Sequence, residues 1–261
     1  TGTKIWNDAN NQDGIRPISI KVNLFANGEK VASQVVTKDT DWKYVFDNLD
    51  KYRDGEEIEY TVTEDEVKGY TTEIDGTDII NTHTPEKTSV SGAKTWNDAN
   101  NQDGKRPASI TVNLFADGEK VKSQTITESD GWRYVFDNLD KYKDGKVIEY
   151  TVTEDEVKGY TTEINGTNII NTHTPEKTEI SGFKTWNDAN NQDGKRPESI
   201  TVNLLADGEK VDSRVVTKDT DWKYEFTNLD KYKDGNEIQY TIQEEGLEGY
   251  STEYDGYDII N

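Results

Sequence analysis

The chain has 261 residues, with 52 acidic against 30 basic side chains, a formal net charge of −22, and neither cysteine nor methionine. Its 14 Tyr, 6 Trp and 6 Phe exclude a wholly disordered acidic chain, which would be poor in aromatics, and no apolar run reaches the roughly 18 residues of a membrane-spanning helix. The acidic balance argues against nucleic acid and anionic lipid as partners, and the lack of cysteine excludes disulfides, thiolate metal sites and Cys nucleophiles.

An internal repeat organises everything else. Lys4-Ile5-Trp6-Asn7-Asp8-Ala9-Asn10-Asn11-Gln12-Asp13-Gly14 returns at Lys94–Gly104 and at Lys184–Gly194 with Ile5 alone changed, to Thr95 and Thr185, offset by 90 residues both times. Three units fit, with boundaries expected at 1–84, 85–174 and 175–261. Within a unit the apolar period is two, so the elements are strands. The first holds Lys4 and Trp6. The loop Asp8–Gly14 suggests calcium, but counting from Asp8 the places for the EF-hand glycine and glutamate hold Asp13 and Ser19; a polar turn of hydrogen-bonding Asn and Asp side chains is the plainer reading. Ile20, Val22 and Leu24 alternate with Lys21 and Asn23, Asn27-Gly28 makes a hairpin turn, and Val31–Val36 returns. A strand follows with Trp42, Tyr44 and Phe46 alternating. Asp54-Gly55 turns the chain into Ile58, Tyr60 and Val62; Gly69-Tyr70 and Asp75-Gly76 lead to a last strand, Asp78–Asn81. The connector Thr82–Thr88, repeated as Thr172–Thr178, contains Pro and polar residues that suit an extended, semi-rigid link. It also holds the two histidines, His83 and His173, expected to be solvent-exposed, with no second ligand near enough in sequence for zinc. About seven short strands and no 3.6-residue period point to an all-β sandwich. So small a unit has a marginal core and, without disulfides, would profit from another staple.

Three polar residues break the alternation. Glu64 continues the row Ile58, Tyr60 and Val62; Lys4 shares the face of Trp6; Asn81 shares that of Ile79. The other copies repeat them as Lys94, Glu154 and Asn171, and as Lys184, Glu244 and Asn261, with Lys-to-Glu and Lys-to-Asn separations of 60 and 77 in every copy. The plain alternative is that each residue sits at a strand end with its head in water, since Lys and Glu are rarely buried. One local contrast speaks against it: Val152, Thr153, Asp155, Glu156, Val157 and Lys158 all change in the third copy while Glu154 remains as Glu244. The functional reading is autocatalytic amide formation. A desolvated Lys loses its proton more readily and becomes a nucleophile. An Asn carboxamide carbon is its target. A Glu kept protonated by apolar surroundings can polarise that carbon and pass a proton to departing ammonia. Trp6 and its neighbours would exclude water, and proximity would do most of the work.

At these residues the chain resembles the B-type repeat domains of Gram-positive collagen adhesins and related surface proteins. The likeness rests on Lys94-Thr95-Trp96-Asn97-Asp98, Asn101–Pro107, Ser109–Leu114, Tyr150–Glu154 and Ile170-Asn171-Thr172, and spans nearly the whole chain three times over. The resemblance implies a reverse-immunoglobulin-like (prealbumin-like) β-sandwich and a stalk role beneath a separate ligand-binding head. It also implies an extracellular location with covalent attachment to the cell wall, and intramolecular Lys–Asn isopeptide bonds assisted by an acidic residue. Matched motif by motif, Lys4, Lys94 and Lys184 are the nucleophiles, Asn81, Asn171 and Asn261 the acceptors, and Glu64, Glu154 and Glu244 the catalytic acids. Copy one departs from the usual loop only in having Ile15 for Lys105.

No cofactor and no metal are expected, nor a turnover enzyme, because no nucleophile–base–orienter set appears and tandem copies suit spacing. The chain is expected to be monomeric. Because it begins at Thr1 with neither a start Met nor a signal peptide, it is expected to be a piece of a longer secreted protein. The alternatives are a module that binds a host matrix protein directly, for which Tyr254 and Tyr257 replace Ile164 and Thr167 in the third copy, and a pilin-like shaft subunit.

Overall fold

A computed structural model describes residues 1–261 and is built of strands with three short 3₁₀ turns. No helix is long and apolar enough to cross a membrane. The first repeat runs β1 (Gly2–Asn7), β2 (Ser19–Ala26), β3 (Glu29–Thr37), β4 (Lys43–Tyr44), β5 (Tyr52–Arg53), β6 (Glu56–Glu57), β7 (Tyr60–Glu64), β8 (Thr71–Asp75) and β9 (Asp78–Thr82). The second runs β10 (Lys87–Asn97), β11 (Ser109–Ala116), β12 (Glu119–Thr127), β13 (Arg133–Asp140), β14 (Tyr142–Lys143), β15 (Lys146–Val147), β16 (Tyr150–Glu154), β17 (Thr161–Asn165) and β18 (Asn168–Thr172). The third runs β19 (Lys177–Thr185), β20 (Ser199–Ala206), β21 (Glu209–Thr217), β22 (Lys223–Asp230), β23 (Tyr232–Lys233), β24 (Asn236–Glu237), β25 (Tyr240–Glu244), β26 (Glu253–Asp255) and β27 (Asp258–Ile260).

Each repeat makes the same sheets. In the first, a four-stranded sheet has the order β4-β1-β9-β8 and a three-stranded one β3-β2-β7, with β5 and β6 forming a small ribbon. The second and third give β13-β10-β18-β17 with β12-β11-β16, and β22-β19-β27-β26 with β21-β20-β25. By residue contacts the chain falls into two compact units: 1–92 with 113–124 and 134–153, and 93–112 with 125–133 and 154–261. The first repeat lies whole in one unit and the third in the other.

The alternation read from the sequence is the inner face of the sandwich. Ile20, Val22 and Leu24 on β2, Val36 on β3 and Val62 on β7 pack with Ile79 on β9 and Tyr44 on β4. Ile200, Val202, Leu204, Val216, Ile242, Ile259 and Tyr224 do the same in the third repeat. The β2–β3 hairpin turns at Asn27 and Gly28, with φ of 49° and 85°; two successive positive φ values define the turn whose twist matches paired strands, and Asn-Gly adopts it at least cost.

Two pairings bring the out-of-pattern polar residues together. The first and last strands of each repeat are parallel neighbours, β1 with β9 pairing Lys4 with Ile79 and Trp6 with Asn81. Parallel strands cannot be joined by a tight turn, so the whole repeat serves as their crossover. The β8–β9 hairpin then sets Thr72 opposite Asn81.

One expected strand is shortened. In copy one only Lys43–Tyr44 of the Trp42–Phe46 row is paired, whereas β13 and β22 run eight residues. β1 meets β4 only where Gly2 pairs with Tyr44 and Thr3 with Lys43, whereas β19 pairs with β22 from Phe183 opposite Lys223 to Lys177 opposite Asp230. The connectors are also shorter than expected, because Thr82 belongs to β9 and Lys87 and Thr88 to β10.

Candidate functional site: a buried lysine, glutamate and asparagine in each repeat

Alternation places Lys4 and Trp6 of β1 on the same inward face, and parallel pairing adds Ile79 and Asn81 of β9 to it. Across the sandwich, β7 ends in Glu64, paired through β2 with Val22. The structure therefore gathers the three sequence-predicted residues of copy one inside the sandwich. Lys4 Nζ lies 3.8 Å from Glu64 Oε1, and neither side chain has any solvent exposure. Lys94 and Glu154 repeat this at 3.9 Å, again with no exposure. In copy three, Lys184 and Glu244 are both buried, and Glu244 is the main charge opposing the effect of burial on Lys184. Asn81, Asn171 and Asn261 are buried in turn.

The electrostatics favour a reactive amine. Burial lowers the pKa of each of Lys4, Lys94 and Lys184 to about 8, the facing Glu pulling the other way. Lys4 Nζ donates to the carbonyls of Ile5 at 3.0 Å and Ile79 at 3.4 Å. A neutral amine has two hydrogens, so two carbonyls account for both and leave the lone pair free. The ammonium-or-amine head also lies over its Trp, 4.2 Å from the ring centroid of Trp6 and 3.5 Å from those of Trp96 and Trp186. Lys94 and Lys184 donate to Thr95 and Thr185 carbonyls at 3.1 and 2.9 Å.

Around this centre several buried polar atoms find no hydrogen-bond partner: Oε1 of Glu64, Glu154 and Glu244, both amide atoms of Asn81 and Asn171, and Oδ1 of Asn261. Leaving a buried polar group unpaired costs about 1–3 kcal/mol, and folded proteins seldom tolerate it without a functional reason. These atoms belong to the expected acceptor and proton carrier; the indole Nε1 of Trp6, Trp96 and Trp186 beside them is unpaired as well.

The water-excluding wall is more elaborate than expected. Trp6 stands edge-on to Trp42 and Tyr70, with ring centroids 5.2 and 5.0 Å away. Trp42 reaches it through a left-handed backbone, φ 59°, uncommon for so bulky a residue; its carbonyl accepts from Lys4 N–H at 2.7 Å. Behind Trp6, Asp8 accepts from Arg16 Nε and Nη2 at 2.9 and 2.6 Å and from the Tyr70 hydroxyl at 2.8 Å. Burial pushes the Asp8 pKa up, but Arg16, the Asn11 N–H and Tyr70 outweigh it and hold the carboxyl at about 2. The Asp8–Gly14 loop is thus the polar turn, its first carboxylate occupied by a guanidinium.

The histidines depart from expectation. Instead of lying in solvent, the His83 and His173 side chains are only 14% and 10% exposed, clasped to Asp13 and Asp103. Sequence reading missed this because the contact joins residues 70 apart. It also missed Thr72, Thr162 and Thr252, whose hydroxyls donate to the Glu carboxylates at 2.9, 3.0 and 3.0 Å. A signal existed: counting outward from the Asp75-Gly76 turn puts Thr72 across from Asn81. Of the replacements noted in copy three, Tyr254 and Tyr257 are 43% and 36% exposed. The Tyr254 oxygen accepts the Glu244 N–H at 2.9 Å, and the Tyr257 hydroxyl donates to the Tyr240 carbonyl at 3.2 Å.

Tandem sandwiches whose first and last strands are parallel neighbours over a buried Lys–Glu–Asn set define a class of repeat domain. The Cna protein B-type domain family matches residues 1–82, 90–172 and 180–261, and the chain belongs to that family. A collagen adhesin of Staphylococcus aureus is 50% identical over 268 residues, covering all of this chain but 23% of its own length; the chain thus spans less than a quarter of that curated relative. The crystal structure of two B repeat units of the collagen-binding protein of Staphylococcus aureus aligns with a TM-score of 0.61 at 50% identity, covering 100% of this chain and 72% of that one.

Proposed function

We propose that these repeats form part of the stalk of an extracellular, cell-wall-anchored adhesin, each repeat closed by an autocatalytic isopeptide bond. The bonds join Lys4 to Asn81, Lys94 to Asn171 and Lys184 to Asn261. The observation that carries the reading is a buried lysine amine, its pKa lowered, opposed by a glutamate in every repeat and 3.8 and 3.9 Å from its carboxyl oxygen in the first two, with a buried glutamate oxygen and asparagine oxygen in each repeat that lack hydrogen-bond partners.

The neutral amine attacks the carboxamide carbon, the bond from that carbon to Nδ2 breaks, and one amine proton ends on the departing nitrogen, which leaves as ammonia. Glu64, Glu154 and Glu244 carry the proton between the two nitrogens and finish as they began. Fixed placement of the two groups inside one core supplies most of the rate. Each repeat reacts once, so the chain is not a turnover enzyme. The name of the Staphylococcus aureus relative makes collagen the natural ligand class for the parent protein, bound by a head outside these repeats.

The test is an intact mass. Each bond expels one ammonia, so the chain should be lighter than its sequence by about 17 Da per bond, about 51 Da for three. A mass equal to the sequence mass would falsify the cross-links.

A further inference from the structure

The Lys–Glu–Asn set does not account for the threonine that every repeat adds to it. Thr72 lies on β8, directly opposite Asn81, and Thr162 on β17 faces Asn171 in the same way. Each hydroxyl reaches past its own strand to Oε2 of the glutamate, at 2.9, 3.0 and 3.0 Å for Thr72, Thr162 and Thr252. In the third repeat the same hydroxyl oxygen also accepts from Asn261 Nδ2 at 3.1 Å. It therefore bridges the carboxyl and the carboxamide. Around it the third copy changes freely: Thr161, Ile164, Asn165, Thr167 and Asn168 become Ser251, Tyr254, Asp255, Tyr257 and Asp258, while Thr162 stays as Thr252.

Resting on the isopeptide reading, we propose that Thr72, Thr162 and Thr252 are positioning residues for bond formation, each pinning one glutamate oxygen so that the other faces the lysine amine. A glutamate carboxyl rotates broadly about its last torsion. With Oε2 held by the hydroxyl, Oε1 is left without a hydrogen-bond partner and stands 3.8 and 3.9 Å from the lysine nitrogen in the first two repeats. That oxygen is the one placed to take the proton. In the third repeat the hydroxyl also fixes the carboxamide, turning Nδ2 toward the threonine and leaving Oδ1 unpaired. The orientation of the departing nitrogen is thereby set before the lysine attacks. The balance is that of the parent step: the bond from lysine Nζ to asparagine Cγ forms, that from Cγ to Nδ2 breaks, and one Nζ proton leaves on ammonia. The threonine gains and loses nothing.

The experiment follows the full 261-residue chain from cell-free synthesis, quenched at intervals and weighed, so that species lacking one, two or three ammonia molecules are resolved. Thr162→Val keeps the side-chain shape and removes the hydroxyl; Thr162→Ser restores the hydroxyl. Misplacement of a reacting group by about an ångström can cost on the order of a hundredfold, so Thr162→Val should slow the middle bond roughly ten- to a hundredfold while the outer two keep their rate. Thr162→Ser should recover most of it. The pH–rate profile of the middle bond should also change shape in Thr162→Val, which loosened packing alone would not produce. A middle bond forming at the parent rate in Thr162→Val, or one slowed equally by Val and Ser, overturns the threonine role while leaving the cross-links standing. A parent chain that loses no ammonia removes the bonds themselves, and the threonine role with them.

Discussion

At the scale of single residues, the histidine clasp offers the sharpest handle on protonation. His83 Nδ1 lies 2.9 Å from the Gly69 carbonyl and Nε2 lies 2.8 Å from Asp13 Oδ2. Both partners only accept, so both ring nitrogens must donate, and the imidazole is held as the cation. The Asp13 hydrogen bond raises the His83 pKa above its ordinary 6.5, burial opposing and Asp8 assisting; Asp103 does the same for His173, with Lys105 opposing. Tyr70 and Tyr160 face the two rings. Asp13 Oδ2 also accepts the Glu86 N–H at 2.8 Å, so the charged ring and the connector backbone share one carboxylate oxygen. A raised folded-state pKa means that the stabilisation is fully present below about 6.5 and is lost as pH rises through the folded value. We expect an NMR titration to place both histidines above about 6.5, and the protection of the His83 and Glu86 amides, relative to their intrinsic exchange rates, to fall as pH rises through the folded value. A pKa at or below about 6.5 for both would refute the clasp.

At the scale of elements, the pairing of β1 with β9 does most to shape the repeat. These strands are the most distant in sequence and lie side by side, so their contact is the costliest in chain entropy. A covalent link across it, as proposed, would close a loop of 77 positions. On the chain-entropy account such a closure stabilises by about 4 kcal/mol, a large share of what so small a core can provide on its own. Lys94→Ala should lower the melting temperature of the middle repeat and make it the first to be cut by trypsin. Asn171→Ala, which keeps the lysine stem in its apolar slot, should do nearly the same if the bond is the cause. Should both variants match the parent in melting and protease resistance, the bond has no structural purpose.

At the scale of the whole molecule, three such repeats in series would meet tension at their first and last strands. Lys4 and Asn81 sit on those strands, so a bond between them would carry the load and bypass the residues in between. Without it, roughly 76 residues at about 3.3–3.6 Å each would release on the order of 250 Å when one repeat opens. Single-molecule stretching of the parent should therefore show no unfolding step before detachment. Glu154→Ala, expected to block the middle bond alone, should show one long step. Three long steps from the parent at modest force would mean that the bonds are missing or lie outside the load path.

How far each of these features could be read in advance depends on the range of the forces behind it. Strand identity, the inward rows on β2 and β7, the Asn-Gly turn and the break in alternation at Lys4, Glu64 and Asn81 are local, since a period of two and a turn residue act over a few positions. The threefold repeat multiplied that local signal. What the tertiary structure alone decided is which distant groups meet. The parallel register of β1 on β9 sets Asn81 two residues along from the lysine's own partner. A hairpin register brings Thr72 to Glu64, and Asp13 draws in a histidine 70 residues away. Each strand needs a partner for its backbone hydrogen bonds, and a sequence pattern that acts over a few positions does not say which distant strand supplies it.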